Sequence, residues 1–143
     1  MFKNILIVGC GLIGSSILRA SINKKTSKNF FVYEKSKKNI REIKKINKKI
    51  IILKKLDNKI SDMDFVIIAT PMSQYKRIIP HLNKHLSKKS LITDVGSTKE
   101  NISKLKNNSL SKSLHWIMSH PISGSEVNGP KYGSKVCLLI NGA

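Results

Sequence analysis

Lys3-Asn4-Ile5-Leu6-Ile7-Val8-Gly9-Cys10-Gly11-Leu12-Ile13-Gly14 is the stretch on which the fold turns. Lys3 to Val8 is a mainly apolar run closed by glycine, the pattern of a buried parallel strand. From Leu12 to about Ile22 the apolar residues Leu12, Ile13, Ile17, Leu18 and Ile22 recur at helical spacing. An acid, Glu34, stands 20 residues beyond Gly14. Strand, glycine turn, helix and distant acid in that order form a dinucleotide-binding pattern. Each glycine has a separate task. Gly9 permits the tight turn, Gly11 lets backbone amides approach a pyrophosphate where a Cβ would collide, and Gly14 lets the helix pack on the first strand. The helix start, with Leu12 and Ile13 in its first turn, adds unpaired donors and the positive end of its dipole. A glycine turn with no ligand is the plain alternative.

Working outward, Asn29 to Tyr33 reads as a second strand that delivers Glu34 to the same rim. Its carboxylate would accept hydrogen bonds from the adenosine ribose hydroxyls and repel a 2′-phosphate, so NAD is favoured over NADP. The following Lys35, Ser36, Lys37 and Lys38 leave NADP open. Thr70-Pro71 follows the clearest central strand, Phe65 to Ala69, and would line the adenosine-pyrophosphate side. A simple strand terminator explains the dipeptide equally well.

The remaining pattern alternates. A polar helix with one buried stripe runs from Lys37 to Lys48 (Ile40, Ile43, Ile46), and a short strand from Ile50 to Leu53. Ser73 looks like the cap of a helix reaching Leu86, with Tyr75, Ile78, Ile79 and Leu82 inward; Pro80 implies a kink or an early stop. Leu91 to Asp94, Trp116 to Met118 and Lys135 to Ile140 read as further strands, with a helix from about Lys99 to Leu105. Such alternation predicts an α/β fold, a Rossmann-type doubly wound, mostly parallel sheet, occupying residues 1–143 as one domain. The stretch ends after an apolar strand with no closing helix, so it reads as a domain truncated at its C-terminal end.

The formal charge of +19 invites a nucleic-acid reading. Against it, the arginines are only Arg19, Arg41 and Arg77, and the lysines are spread along the chain instead of forming a stripe. Abundant lysine, isoleucine and asparagine together fit codon drift in an AT-rich genome. No nucleic-acid partner is expected. No apolar run approaches the ~20 residues of a membrane helix, and the start lacks a signal-peptide pattern, so neither a membrane nor export is expected and the cytoplasm is the default. Cys10 and Cys137 lack C-x-x-C spacing and read as free thiols.

Two loops carry the chemistry: Asp94-Val95-Gly96-Ser97-Thr98-Lys99 and Ser119-His120-Pro121-Ile122-Ser123-Gly124-Ser125-Glu126. They place a histidine, hydroxyls, a lysine and a carboxylate near the nicotinamide end, and oxidising an alcohol by hydride transfer needs a base such as His120. A capping role for His120 and a helix N-cap for Ser97 are the structural alternatives. His81 and His85 sit among lysines, and His115 falls on the opposite rim. No spacing resembles a metal site.

With Val8-Gly9-Cys10-Gly11-Leu12-Ile13-Gly14-Ser15-Ser16, these loops resemble the prephenate/arogenate dehydrogenases of tyrosine biosynthesis, over essentially the whole chain and in the right order. The resemblance implies NAD(P)+-dependent oxidative decarboxylation of prephenate, or of arogenate. His120 matches the family histidine that draws the proton of the C4 hydroxyl, and Ser97 the serine that contacts that hydroxyl. Glu126 matches an acid at the mouth of the active site that shapes substrate access; Lys99 lies close by, with no more than a supporting role. The family's helical domain, which dimerises and grips the substrate carboxylates, is absent from this stretch, so a homodimer is expected only of the full-length protein and this part alone is expected to be inactive. A different small Rossmann dehydrogenase of the β-hydroxyacid or imine-reductase type is the second reading. A non-catalytic NAD-sensing or nucleic-acid-binding module is the third.

Overall fold

In the computed structural model, which describes residues 1–97, Ser103, 114–119 and 129–133, the first strand is the middle of everything. β1 (Phe2–Val8) pairs in parallel with β2 (Ser27–Tyr33) on one side and β4 (Phe65–Ile68) on the other. β3 (Ile51–Leu53) extends the sheet beyond β2, and β5 (Leu91–Asp94) and β6 (His115–Met118) extend it beyond β4. The order is β3-β2-β1-β4-β5-β6, with every pairing parallel. Parallel neighbours need crossovers, and the helices α1 (Leu12–Asn23), α2 (Lys37–Ile46) and α3 (Tyr75–His85) supply three of them.

Alternation along β1 shows why the sheet is covered on both faces. Leu6 and Val8 join a core with Val66, Ile68, Ile92, Trp116 and the α3 residues Tyr75, Ile78, Ile79 and Leu82. Ile5 and Ile7 join the opposite core with Cys10, Val32, Ile67, Leu18 of α1 and Ile43 of α2. Because a strand's side chains alternate, a strand covered by helices on both faces reads as a continuous apolar run. The doubly wound fold predicted from the sequence is the one observed.

Three expectations need correction. Ser73 does not cap a helix: Met72–Gln74 forms a 3-10 turn, Gln74 is the N-cap, and neither turn nor helix start has a side-chain cap. Pro71, with φ −54° and ψ 143°, sends the chain off β4 in extended form, and the tight turn is needed before α3 can begin. Nor does Pro80 stop α3, which continues to His85. Proline removes one backbone donor there, while Ile79 and Leu82 on the buried face hold the helix through it. Finally, α2 ends at Ile46, two residues short of the Lys48 expected, where Asn47 adopts an extended conformation. The helix expected near 99–105, apart from Ser103, and the strand at 135–140 lie outside the described residues. So does Cys137.

Candidate functional site

Because all strands run the same way, the segments leaving β1, β2 and β4 meet on one rim. Gly9 donates to the Tyr33 carbonyl at 2.9 Å, and Ala69 donates to that of Val8 at 2.8 Å, so the sheet ladder continues into the loops and fixes them. Between them opens a cleft of about 960 Å³, lined by Gly9, Gly11, Glu34, Thr70 and Pro71 on this rim and by α3 across from it. Five of the eight cofactor-site residues expected from the sequence are thus brought together. Leu12, Ile13 and Gly14 form the first turn of α1 and are not among the lining residues.

Packing sets Gly9 and Gly14 of the glycine loop apart from Gly11. Gly9 has φ +83°, and a Cβ there would meet the Thr70 backbone at 3.0 Å. A Cβ on Gly14 would strike the Gly9 carbonyl and come within 3.2 Å of Ala69 Cβ. Around Gly11, by contrast, a Cβ would find nothing within 4 Å. Two glycines of this loop are therefore demanded by the protein's own packing, and of its three Gly11 is the one that faces open space. Gly11 is also the N-cap of α1, without a side-chain hydrogen bond and with no acid in the first turn. The helix start thus presents its backbone donors and the positive end of its dipole without a side-chain cap, the properties that attract an anion, with the Glu34 carboxylate bonded to the Cys10 amide just outside it.

Glu34 is tied into this loop. One carboxylate oxygen accepts from the Cys10 amide at 3.0 Å and the other from the Ser36 amide at 2.9 Å. Each oxygen has a further lone pair, so the half-buried carboxylate can still accept from a ligand hydroxyl. The Cys10 thiol is pushed up to about 12, first by burial and then by the Glu34 charge, with Arg19 pulling it down. It is an inert free thiol. Thr70 contributes an orphan: its buried Oγ1 has no partner.

The opposite wall was not anticipated. Arg77, His81 and His85 of α3 line the cleft with Lys35, Lys55 and Lys76, against Glu34 and Asp57 as the acids. The four-residue spacing of 77, 81 and 85 was the available signal, since it puts the three on one helical face. Their setting among lysines concealed it.

On the other side of β4 a second arrangement occupies the rim. Asp94, at the end of β5 and fully buried, accepts from Trp116 Nε1 at 3.0 Å and from the Gly96 amide at 2.9 Å. Ser119, leaving β6, donates to the Asp94 carbonyl at 2.6 Å and accepts from Thr93 at 3.1 Å. Tyr75 packs against Trp116 with ring centroids 6.3 Å apart. Burial, and then the Asp94 charge, hold its phenol above the ordinary range against a hydrogen bond from the Gly96 backbone. Ser97 follows this knot and is exposed, outside the cleft lining. His120, Glu126 and Lys99 lie outside the described residues. His115 begins β6 and so stands at the opposite rim, as expected. Among the described residues no cluster of three His, Cys, Asp or Glu could hold a metal, and no helix is long and apolar enough to cross a membrane.

Residues 19–141 match the family described as prephenate dehydrogenase, nucleotide-binding domain, a span that starts after the glycine loop. Over 133 residues, 93% of this chain, it is 29% identical to a cyclohexadienyl dehydrogenase of Zymomonas mobilis, of which the match covers 45%. Over 129 residues, 89% of this chain, it is 34% identical to a prephenate dehydrogenase of Lactococcus lactis, of which the match covers 36%. The chain thus spans less than half the length of these curated relatives. Among solved structures, prephenate dehydrogenase from Aquifex aeolicus in complex with hydroxyphenyl propionate and NAD+ superposes with a TM-score of 0.84 at 26% identity, covering 96% of this chain and 48% of that one. Arogenate dehydrogenase from Synechocystis shares the fold, with a TM-score of 0.76 at 21% identity over 92% of this chain and 45% of that one.

Proposed function

Because the chain belongs to the prephenate dehydrogenase family, matching its nucleotide-binding domain, we propose that it is the NAD+-binding part of an enzyme that oxidatively decarboxylates prephenate or arogenate. One observation carries the reading. The glycine loop, Glu34 and Thr70 share a single cleft at the C-terminal rim of the sheet, where ligands of such sheets bind. Gly11 and the uncapped start of α1 receive the pyrophosphate, with Leu12, Ile13 and Gly14 in the first turn. Glu34 receives the ribose hydroxyls, and Thr70 with Pro71 lines the adenosine-pyrophosphate side. NAD+ bound in this way supplies the hydride acceptor.

The chain's own groups do the rest. His120 draws the proton from the substrate hydroxyl at C4 as the hydride leaves and CO2 departs from C1. Ser97 holds that hydroxyl, and Glu126 guards the mouth. Aromatisation supplies much of the driving force, so orientation and one polarised O–H are what the protein must add. Residues that grip the substrate carboxylates, and the contacts of a homodimer, belong in this reading to a helical domain outside this chain. A buried, unpaired Cys10 suits the reducing cytoplasm.

The test is NADH formation by the complete gene product supplied with NAD+ and either prephenate or arogenate. Substituting His120→Asn lowers turnover by about 10²–10⁴, the range of general-base catalysis, and leaves NAD+ affinity unchanged. Turnover like the wild type in that variant removes His120 as the base. Silence of the wild type toward both substrates removes the reading.

A further inference from the structure

Residues 129–133 begin three positions after Glu126, and where they lie is informative. Pro130–Tyr132 forms a 3-10 turn packed against both α1 and α2, with Pro130 buried. The Arg19 side chain donates from Nη2 to the Pro130 carbonyl at 3.3 Å. One turn of α1 earlier, Gly133 lies so close to Ser15 that a Cβ on it would come within 3.1 Å of both Ser15 Cβ and the Ser16 amide. Ser15 and Arg19 are four apart and share one face of α1. The turn therefore lies along that face, held by a guanidinium at one end and by a glycine-sized gap at the other. Ser15 and Ser16 are themselves buried, and their hydroxyls turn back to the Leu12 carbonyl, which leaves a smooth small-residue surface. α1 is the helix whose other contacts set the glycine loop: Gly14 presses on Gly9, and the Arg19 charge reaches the Cys10 thiol.

We infer that Arg19 and Gly133 are positioning residues, which bind the 129–133 turn to the cofactor helix and so set the chemical loop relative to the glycine loop. The loop is fixed at its other end by Ser119, immediately before His120, through the Asp94 carbonyl. One end is thus tied to β5 at the rim and the other to the side of α1. Neither Arg19 nor Gly133 touches the cleft, so their effect is on alignment rather than on cofactor affinity. This inference rests on the proposed role of His120.

The experiment compares Arg19→Gln, Arg19→Lys and Gly133→Ala in the complete gene product, by amide hydrogen exchange, NAD+ titration and turnover. In Arg19→Gln the amides of Tyr132 and Gly133 exchange roughly tenfold faster, while those of β1 and β4 are unchanged. Its kcat falls about tenfold with the Kd for NAD+ within about twofold, as misplacement of a reacting group predicts. Arg19→Lys, which keeps one donor, restores most of both. Gly133→Ala moves the same readouts further, and its refusal to fold leaves the Arg19 pair to decide. Unchanged exchange in Arg19→Gln overturns the clamp. Faster exchange at an unchanged kcat, or a loss of NAD+ affinity matching that of kcat, overturns the positioning role. A wild type without turnover defeats the catalytic reading instead, and exchange still decides the clamp.

Discussion

β2 runs out into Glu34 and β5 ends on Asp94, and the two carboxylates use one device. Each accepts the amide two residues further on, Ser36 and Gly96 respectively, at 2.9 Å. Each also accepts one distant donor at 3.0 Å, the Cys10 amide in one case and Trp116 Nε1 in the other. They differ in what surrounds them. Glu34 is half-buried on the wall of an open cleft, whereas Asp94 is sealed beneath Tyr75 and Trp116. The same hydrogen-bonding pattern at a strand end thus serves a ligand on one side of the rim and a fixed joint on the other. Solvent access decides which, because an amide that loses its partner can turn to water only at Glu34.

The sharpest way to break this contrast is to remove each acid. Asp94→Ala removes the carboxylate that the Gly96 amide and the Trp116 indole bond inside the core and costs about 3 kcal/mol of stability, read from the urea midpoint. Glu34→Ala costs less than about 1 kcal/mol, since its two amides gain water. Equal losses would mean that burial does not separate the two roles. Gly9→Ala comes next: a side chain at φ +83° pressed on Thr70 costs about 2 kcal/mol and distorts the loop that Glu34 braces. NAD+ binding, followed by quenching of the single tryptophan, then disappears before the protein unfolds. Glu34→Ser acts on binding alone, weakening NAD+ about tenfold with stability nearly unchanged. An unchanged affinity would move Glu34 out of the site and leave it as a brace like Asp94.

The Glu34 half was legible in the sequence because its signals are local. An apolar run, a glycine spacing and an acid 20 residues on need no knowledge of packing. The inner face of α3 was equally legible, and Tyr75, Ile78, Ile79 and Leu82 are all buried as its period requires. Asp94 was read as part of a chemical loop, and nothing local marked it as a buried joint. Its partner Trp116 is 22 residues away and becomes a neighbour only when β6 pairs with β5. The Arg77–His81–His85 wall and the seat of Gly133 on Ser15 were hidden for the same reason. Both depend on which helical face meets which loop, and charge-rich composition masks such faces.

The smallest effect tests how far the Glu34 charge reaches inward from the cleft. The Cys10 thiol has an ordinary value of 9.0 and is raised to about 12 in the folded chain. Between those values the unfolded chain has lost this proton and the folded chain has kept it. Stability from this group is therefore complete below pH 9.0 and declines as pH rises towards about 12, by at most about 1.4 kcal/mol per unit. Urea midpoints of the parent and of Cys10→Ala, measured across that window, isolate the slope as their difference. Burial is the larger cause and Glu34 the second, so in Glu34→Gln the slope persists and its upper end moves to lower pH. A slope that vanished with the Glu34 charge would reverse that order and make the cleft acid the chief influence on the buried thiol. Asp94, which is not among the causes acting on Cys10, provides the control: replacing it leaves this alkaline slope where it was.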